Sequence, residues 1–347
     1  PRSMPACLRA FASWLDAGRC WIKDKNGRLV QLRPNWVQYQ LLAAMLRQAD
    51  ERSETWPAGR PIRVLVLKAR KHGVSTLIVV FLYFLARYLN HFTALLVAHS
   101  REGRQAVFEI ASRAHARLEN LDKPPRSWVE WPGRDSRFRS HTARGFFVGT
   151  ADTIQALHIS ELAKCQSEAG LDAGAVTSMV NAVPQAHPFS LVVIESTGQG
   201  PAGDFYDRCK RALDPASRSD YTLCFFPWFD DPTYRLPPPK GFAPDEYGRW
   251  LQETFGLGLD QVYWYQWMLD YEHKGERALM RWEYPSTPEE AVEAPTGRVY
   301  AGFTRETGLR MLPSGEGALE GVYRRRLDLA SGRFAMLQTD DGFALVP

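Results

Sequence analysis

Ile62-Arg63-Val64-Leu65-Val66-Leu67-Lys68-Ala69-Arg70-Lys71-His72-Gly73-Val74-Ser75-Thr76 decides the fold of this chain, together with the apolar run Leu77 to Leu89 that follows it. A β-branched apolar run reads as a buried strand, and the longer apolar run as a buried helix. Between them lies a basic loop with one glycine, and the helix opens on Ser75-Thr76. Backbone N–H groups and the positive helix end would meet an anion there, and a hydroxyl would reach Mg²⁺, so the unit predicts a phosphate cradle. The usual pattern G-x-x-x-x-G-K-[ST] is not met. Residues Ala69 to Gly73 hold one glycine, and Val74 stands at the lysine position. Lys68, Arg70 and Lys71 offer the missing charge from the other end of the loop. Taken alone, the segment reads equally well as a basic turn between a strand and a helix.

Working outward, similar apolar runs recur at Thr93–Ala98, Gln155–Ser160, Leu191–Glu195 and Tyr221–Phe226, with helical stretches between them. That alternation predicts a parallel sheet with helices on both faces. Ser136–Val148 reads as an added antiparallel hairpin. The run Ile154-Gln155-Ala156-Leu157-His158-Ile159 ends in Ser160-Glu161, which places a carboxylate at the C-terminal edge of the sheet, where ligands bind in open α/β folds. An NTPase needs such an acid to orient water and help hold its metal. An Asp-Glu pair is usual there, and Ser160 brings no charge to the first position. A lone strand-end glutamate reads as a solvated cap. The strand Leu191–Ile194 then ends in Glu195-Ser196-Thr197-Gly198-Gln199-Gly200, placed like a sensor of γ-phosphate loss, though by itself an ordinary polar turn. Cradle, acid and sensor at successive strand ends together predict a nucleoside triphosphatase.

Composition fits this class. Of 347 residues, 45% are hydrophobic and 24% charged, the profile of a globular chain. Such a length buries roughly three quarters of its unfolded surface, so neither disulfides nor structural metals are required. Five cysteines without a CxxC pair exclude a zinc ribbon or disulfide framework. No signal peptide is recognisable, and the run Leu77–Leu85 is half a membrane span. The formal charge of +4 and a pI near 8.8 permit nucleic-acid contact without demanding it. We divide the chain into an N-terminal adapter region (1–60), an ATPase core (61–235), a Trp/Tyr-rich helical lid subdomain (236–299) and a C-terminal linker segment (300–347).

These residues resemble the large terminase subunits of tailed phages. That family carries a deviant Walker A loop with a basic residue at its start, as in Lys68 to Thr76, so the resemblance makes Lys68 the displaced lysine. It reads His-x-Ser-Glu-x-Ala at the second motif, as His158 to Ala163 does. It continues with a Glu-Ser-Thr-Ala-Asn-Gly-like coupling motif, from which Gly198 and Gln199 depart. Pro227-Trp228-Phe229 and Glu283-Tyr284-Pro285-Ser286-Thr287-Pro288-Glu289-Glu290-Ala291 match further, without a chemical role that residue chemistry supplies. Arg33-Pro34-Asn35-Trp36-Val37-Gln38 resembles the adenine-reading Q motif, with Gln38 as its amide or, equally, a solvated helix position.

The resemblance implies a P-loop NTPase of ASCE, RecA-like type that hydrolyses ATP with Mg²⁺ and drives double-stranded DNA into a procapsid. Its partners would be the portal protein, the small terminase subunit and further copies in a ring, with no membrane. It would work in the cytoplasm of an infected bacterium, transiently at the portal. We expect residues Lys68 to Thr76 (Lys68, Ala69, Arg70, Lys71, His72, Gly73, Val74, Ser75 and Thr76) to hold nucleotide with Gln38. Glu161 would polarise water; Ser75, Ser160 and Glu161 would hold the metal; Ser196, Thr197 and Gly198 would couple hydrolysis to the lid. Arg139, Arg144 and Arg101 are candidates for an arginine reaching a neighbouring subunit's site. The nuclease domain that follows in the family is not recognisable, so no DNA cleavage is expected. The rival readings are a helicase-like translocase, for which residues 236–347 look too short and irregular to form a second RecA-like domain, and a non-hydrolysing DNA-binding or portal-docking protein, argued by Val74 and Ser160.

Overall fold

In the computed structural model, residues 3–55, 61–143, 153–167, 169–292, 322–329, 332–339 and 342–346 are described. Strands β1 (Trp21–Lys23) and β2 (Leu29–Gln31) form a hairpin between helices α1 (Met4–Asp16) and α2 (Trp36–Thr55). The core follows in the order β3 (Ile62–Lys68), α3 (Val74–Tyr88), β4 (Thr93–Ala98), α4 (Arg101–Leu118), β5 (Trp128–Trp131), β6 (Ser136–Thr142), β7 (Ala156–Ser160), α5 (Leu162–Ser167), α6 (Ala173–Asn181), β8 (Leu191–Ser196), α7 (Asp204–Leu213) and β9 (Thr222–Phe226). Its seven strands lie in the order β5-β6-β4-β7-β8-β3-β9, all parallel except β5. The predicted parallel sheet between helices is therefore the observed one.

Period-2 alternation sorts the strand side chains into two cores. Val64 and Val66, Ala94 and Leu96, Ala156, and Leu191 and Val193 pack on one face with α1, α2, α3 and α4. Leu65 and Leu67, Leu95 and Val97, Leu157 and Ile159, and Val192 and Ile194 pack on the other with α5, α6 and α7. Helix α3 is enclosed on nearly every side, from Leu77 to Ala86, which is why its sequence is apolar all round rather than amphipathic. Phe11 and Trp14 of α1 press on Phe81 and Phe84, with ring centroids 4.9 and 5.6 Å apart respectively. Each such ring or branched side chain contributes about 1.5–3 kcal/mol through burial.

One expectation is corrected. Ser136–Val148 does not fold back on itself within the described residues: β6 is parallel to β4, and its antiparallel partner is the preceding β5, turned through Asp135 with φ of 50°. A four-residue strand between Pro125 and Pro132 gives too short an alternation to be read from sequence. All five cysteines are buried and free. Among the described residues no helix is long and apolar enough to cross a membrane.

After β9 come helices α8 (Glu246–Phe255), α9 (Leu259–Trp267), α10 (Arg277–Glu283) and α11 (Pro288–Ala291), around an aromatic cluster of Trp228, Tyr234, Trp264, Tyr265 and Tyr284. Here the two motifs without a chemical role become one packed unit. Trp228 donates its backbone N–H to Pro285 O (3.1 Å) and its indole N–H to Ser286 Oγ (3.0 Å). Glu290 accepts from the Ser286 N–H and the Tyr247 hydroxyl, both at 2.8 Å. Strands β10 (Val322–Leu329), β11 (Gly332–Thr339) and β12 (Gly342–Val346) form a separate antiparallel sheet.

Candidate nucleotide site

The same alternation that builds the core assembles the site. Lys68 on β3, His158 and Ser160 on β7, and Glu195 on β8 are all in phase with the α3 face. Register pairs Ser160 with Glu195, and Val66 with Glu195. Strand β8 therefore lies between the cradle strand and the strand carrying Glu161, and its last residues face both.

The Lys68 ammonium is buried between two carboxylates, 2.9 Å from Glu161 Oε1 and 3.0 Å from Glu195 Oε2. The other Glu195 oxygen accepts hydrogen bonds from Ser75 Oγ (2.6 Å) and Ser160 Oγ (2.7 Å), and His158 Nε2 lies 3.4 Å from it. Glu195 is fully buried. Burial pushes its carboxyl up, but Lys68, the nearby His158 imidazole and the hydrogen bond from Ser75 reverse that, leaving it well below the usual carboxylate range. Burial lowers Lys68, and the two carboxylates more than restore it, so the ammonium stays charged.

Glu161 leaves β7 with φ of 56°, a left-handed conformation uncommon for a non-glycine residue and characteristic of functional turns. Its Oε2 faces Thr197, with N at 3.5 Å and Oγ1 at 3.4 Å. Gly73 caps α3 with φ of 77°, which favours glycine, and a Cβ there would stand 2.7 Å from Gln38 Nε2 and displace that amide.

Gln38 is buried, not solvated. Its Nε2 donates to Gly73 O at 2.7 Å, and its Oε1 accepts from the Asn35 N–H at 3.0 Å. Asn35 Oδ1 accepts in turn from the Gln38 N–H, and Asn35 Nδ2 donates to His72 O. This reciprocal cap at the start of α2 thus clamps the cradle loop from outside and leaves one Gln38 amide hydrogen for another acceptor.

A cleft of about 700 Å³ brings together Gln38, Lys68, Arg70, Lys71, His72, Gly73, Val74, Ser75, Thr76, Glu161 and Thr197. Several expected residues, in or near the cleft, have other partners. Ala69 is buried under the aromatic cluster behind the loop. Arg70 turns its guanidinium to Glu283 Oε1 (2.6 Å), and its carbonyl accepts from the Tyr234 hydroxyl. The His72 ring lies beneath the loop beside Tyr234, and burial lowers its pKa to about 4, so it is neutral at pH 7. Ser196, one residue out of phase with Glu195, is buried toward the opposite core. Gly198 meets α10 and α11: its N–H donates to Trp282 O, and a Cβ would fall 1.8 Å from Ala291 O.

Arg139 and Arg101 line a different cleft, of about 460 Å³, with Arg104 and Trp128. Strands β4, β7 and β8 separate β6 from β3, so at about 4.8 Å per strand Arg139 stands roughly 19 Å from its own cradle. Arg144 lies outside the described residues.

Sequence reading missed three contributors. Glu195 reads in sequence as the start of a turn, although a carboxylate ending a fully apolar strand must find a buried partner. Asn35 carried a capping signal in its spacing to Gln38. The β1–β2 hairpin lines the cleft with Ile22, Lys25 and Val30, and it is tied to the segment after β9 by Lys25 Nζ–Asp231 Oδ2 at 2.5 Å. Only the short Trp21–Lys23 run hinted at it.

No protein-family profile and no curated protein matches the sequence. Solved structures do. The HK97 bacteriophage large terminase aligns over 99% of this chain and 67% of its own, with a TM-score of 0.50 at 15% identity. The chain has the fold of a phage large terminase. Other similar structures are the Thermus phage P74-26 large terminase ATPase domain (TM-score 0.42, 16% identity, 74% of this chain and 98% of that one) and the large terminase of another thermophilic bacteriophage in complex with ATP-γ-S (TM-score 0.39, 10% identity, 66% and 51%). Within this fold, the strand order β9-β3-β8-β7-β4 puts the Lys68–Thr76 loop, the Ser196–Gly198 turn and Glu161 at the ends of three adjacent strands.

Proposed function

We propose that this chain is the ATP-hydrolysing motor of a DNA-packaging terminase large subunit, moving double-stranded DNA into a procapsid. The observation that carries the reading is the convergence of Lys68, Ser75 and Glu161 on one cleft at the C-terminal edge of a parallel sheet, with Glu195 buried against Lys68 and Ser75. The whole-chain likeness to the HK97 protein supports the fold on which it rests.

In this reading the loop amides and Lys68 hold the β- and γ-phosphates of ATP. Lys68 is already charged and positioned by its two acids, so a phosphate oxygen takes the place of one carboxylate oxygen. Glu161, aimed from a strained turn, accepts the proton as water attacks the γ-phosphorus and ADP departs. Thr197 faces Glu161 and leads into Gly198, which sits against the lid, so loss of phosphate is felt at the Trp282–Ala291 segment. Arg70 joins loop to lid through Glu283. The hydroxyls of Ser75 and Ser160 beside a carboxylate form a hard oxygen donor set suited to Mg²⁺, which would neutralise charge developing on the phosphates. Arg139, too distant from its own cradle, or Arg144 would complete a neighbouring copy's site in a ring, a contact worth about 10³ to 10⁵ in rate where it occurs. Portal protein, small subunit, host cytoplasm and the four-part division of the chain belong to the same proposal.

Phosphate release with and without double-stranded DNA tests it. Glu161→Gln is expected to keep nucleotide binding and lose turnover by about 10²- to 10⁴-fold. Unchanged turnover removes Glu161 from its role, and wild-type protein that takes up no nucleotide overturns the reading.

A further inference from the structure

Ser160 leaves the metal site one negative charge short. The strand end that would place an acid beside the Ser75 hydroxyl carries a hydroxyl instead, and a divalent cation beside phosphates is held through at least one or two carboxylates. The structure supplies a carboxylate at the same place from the neighbouring strand. Glu195 is the register partner of Ser160, and one of its oxygens accepts from both Ser75 Oγ and Ser160 Oγ at 2.6 and 2.7 Å.

We infer that Glu195 is the carboxylate of the Mg²⁺ site, the charge having moved one strand across from position 160 to position 195. This rests on the nucleotide reading above and deepens it. Three observations carry it. Glu195 is fully buried, so its charge is retained by specific partners rather than solvent. Those partners converge from three elements, β3, α3 and β7, which is more than a core ion pair needs. Both acids reach Lys68, but it is Glu195 Oε1 that accepts from Ser75, the loop hydroxyl, whereas the second oxygen of Glu161 faces Thr197. Ser160 becomes the positioning group that orients Glu195, and Glu161 is left to deal with water alone.

The test reads metal dependence rather than turnover. Fluorescent ADP is titrated onto wild type, Glu195→Gln and Ser160→Asp/Glu195→Gln, each with Mg²⁺ and with EDTA. Wild type is expected to bind ADP about 5- to 150-fold more tightly with Mg²⁺, the usual size of a coupling between two ligands. In Glu195→Gln the Mg²⁺ and EDTA affinities are expected to agree within about twofold, and in the double variant, whose acid is returned to position 160, the Mg²⁺ enhancement should reappear. Wild type that binds no ADP under either condition removes the nucleotide reading itself. Wild type with a normal Mg²⁺ response and a Glu195→Gln variant that keeps it overturns only the assignment of Glu195. Should Glu195→Gln fail to fold, the double variant decides: a Mg²⁺ response supports the relocated acid, and misfolding or a missing response overturns it.

Discussion

Replacing Lys68 by methionine keeps an unbranched chain of similar reach and removes the ammonium that Glu161 and Glu195 share. In the wild type the Glu195 carboxyl sits below its ordinary value of 4.5, because Lys68 and its hydrogen-bond donors outweigh the effect of burial. A depressed folded-state pKa contributes stability that is present above the unfolded value and is lost as the pH falls through the folded one. Wild-type stability therefore gains from this group throughout pH 5–8. Without the ammonium, burial dominates and raises the carboxyl, so the sign reverses: the folded variant holds a proton that the unfolded chain releases, and its stability declines as pH rises. Leaving a buried carboxylate without its partner costs about 3–5 kcal/mol. At about 2 °C per kcal/mol for a large domain, Tm should drop by roughly 6–10 °C at pH 8. The drop should be distinctly smaller at pH 5, where protonation relieves the unpaired charge. Differential scanning calorimetry of both proteins from pH 5 to 8 measures the gap. A gap that stays constant across that range, or narrows toward pH 8, refutes the reasoning.

Two further perturbations address the cradle and the lid. Gly198→Ala would force a Cβ into the Ala291 carbonyl; it should cost about 1–3 kcal/mol and increase protease cutting at 282–292, and an unchanged digestion pattern would count against the contact. Gln38→Ala removes the bond to Gly73 O and half of the α2 cap; a loss of about 1–2 kcal/mol in thermal unfolding is expected, with weaker nucleotide uptake, and intact uptake would mean that the loop holds its shape unaided.

The sheet was legible because its central strands are apolar on both faces and its first helix is apolar all round, which leaves a doubly covered parallel layer as the arrangement that buries them. Lys68 and Glu161 were legible for a related reason: charged residues directly after such strands stand at the ligand-binding edge. Side-chain parity was the harder part. Whether Glu195 or Ser196 faces α3 depends on a one-residue phase, and a polar run after a strand conceals that phase. Gln38 is visible as a motif residue but balanced against solvent, because whether an amide on a first helical turn is exposed depends on a loop 35 residues away. The Arg70–Glu283 pair joins positions 213 residues apart, and no local pattern announces it. The two aromatic motifs near Trp228 and Tyr284 were visible as patterns, but their meaning lay in each other.

The tie between Lys25 and Asp231 joins the β1–β2 hairpin to the segment that follows β9, across 206 residues. Lys25 is about half exposed, so parting the pair costs on the order of 1 kcal/mol and becomes easier as salt rises. The hairpin that lines one side of the cleft is thus held by a light clasp. Under the proposed function, exchange past that hairpin should quicken with ionic strength even where hydrolysis does not, which would make product departure and bond breaking separable by salt alone.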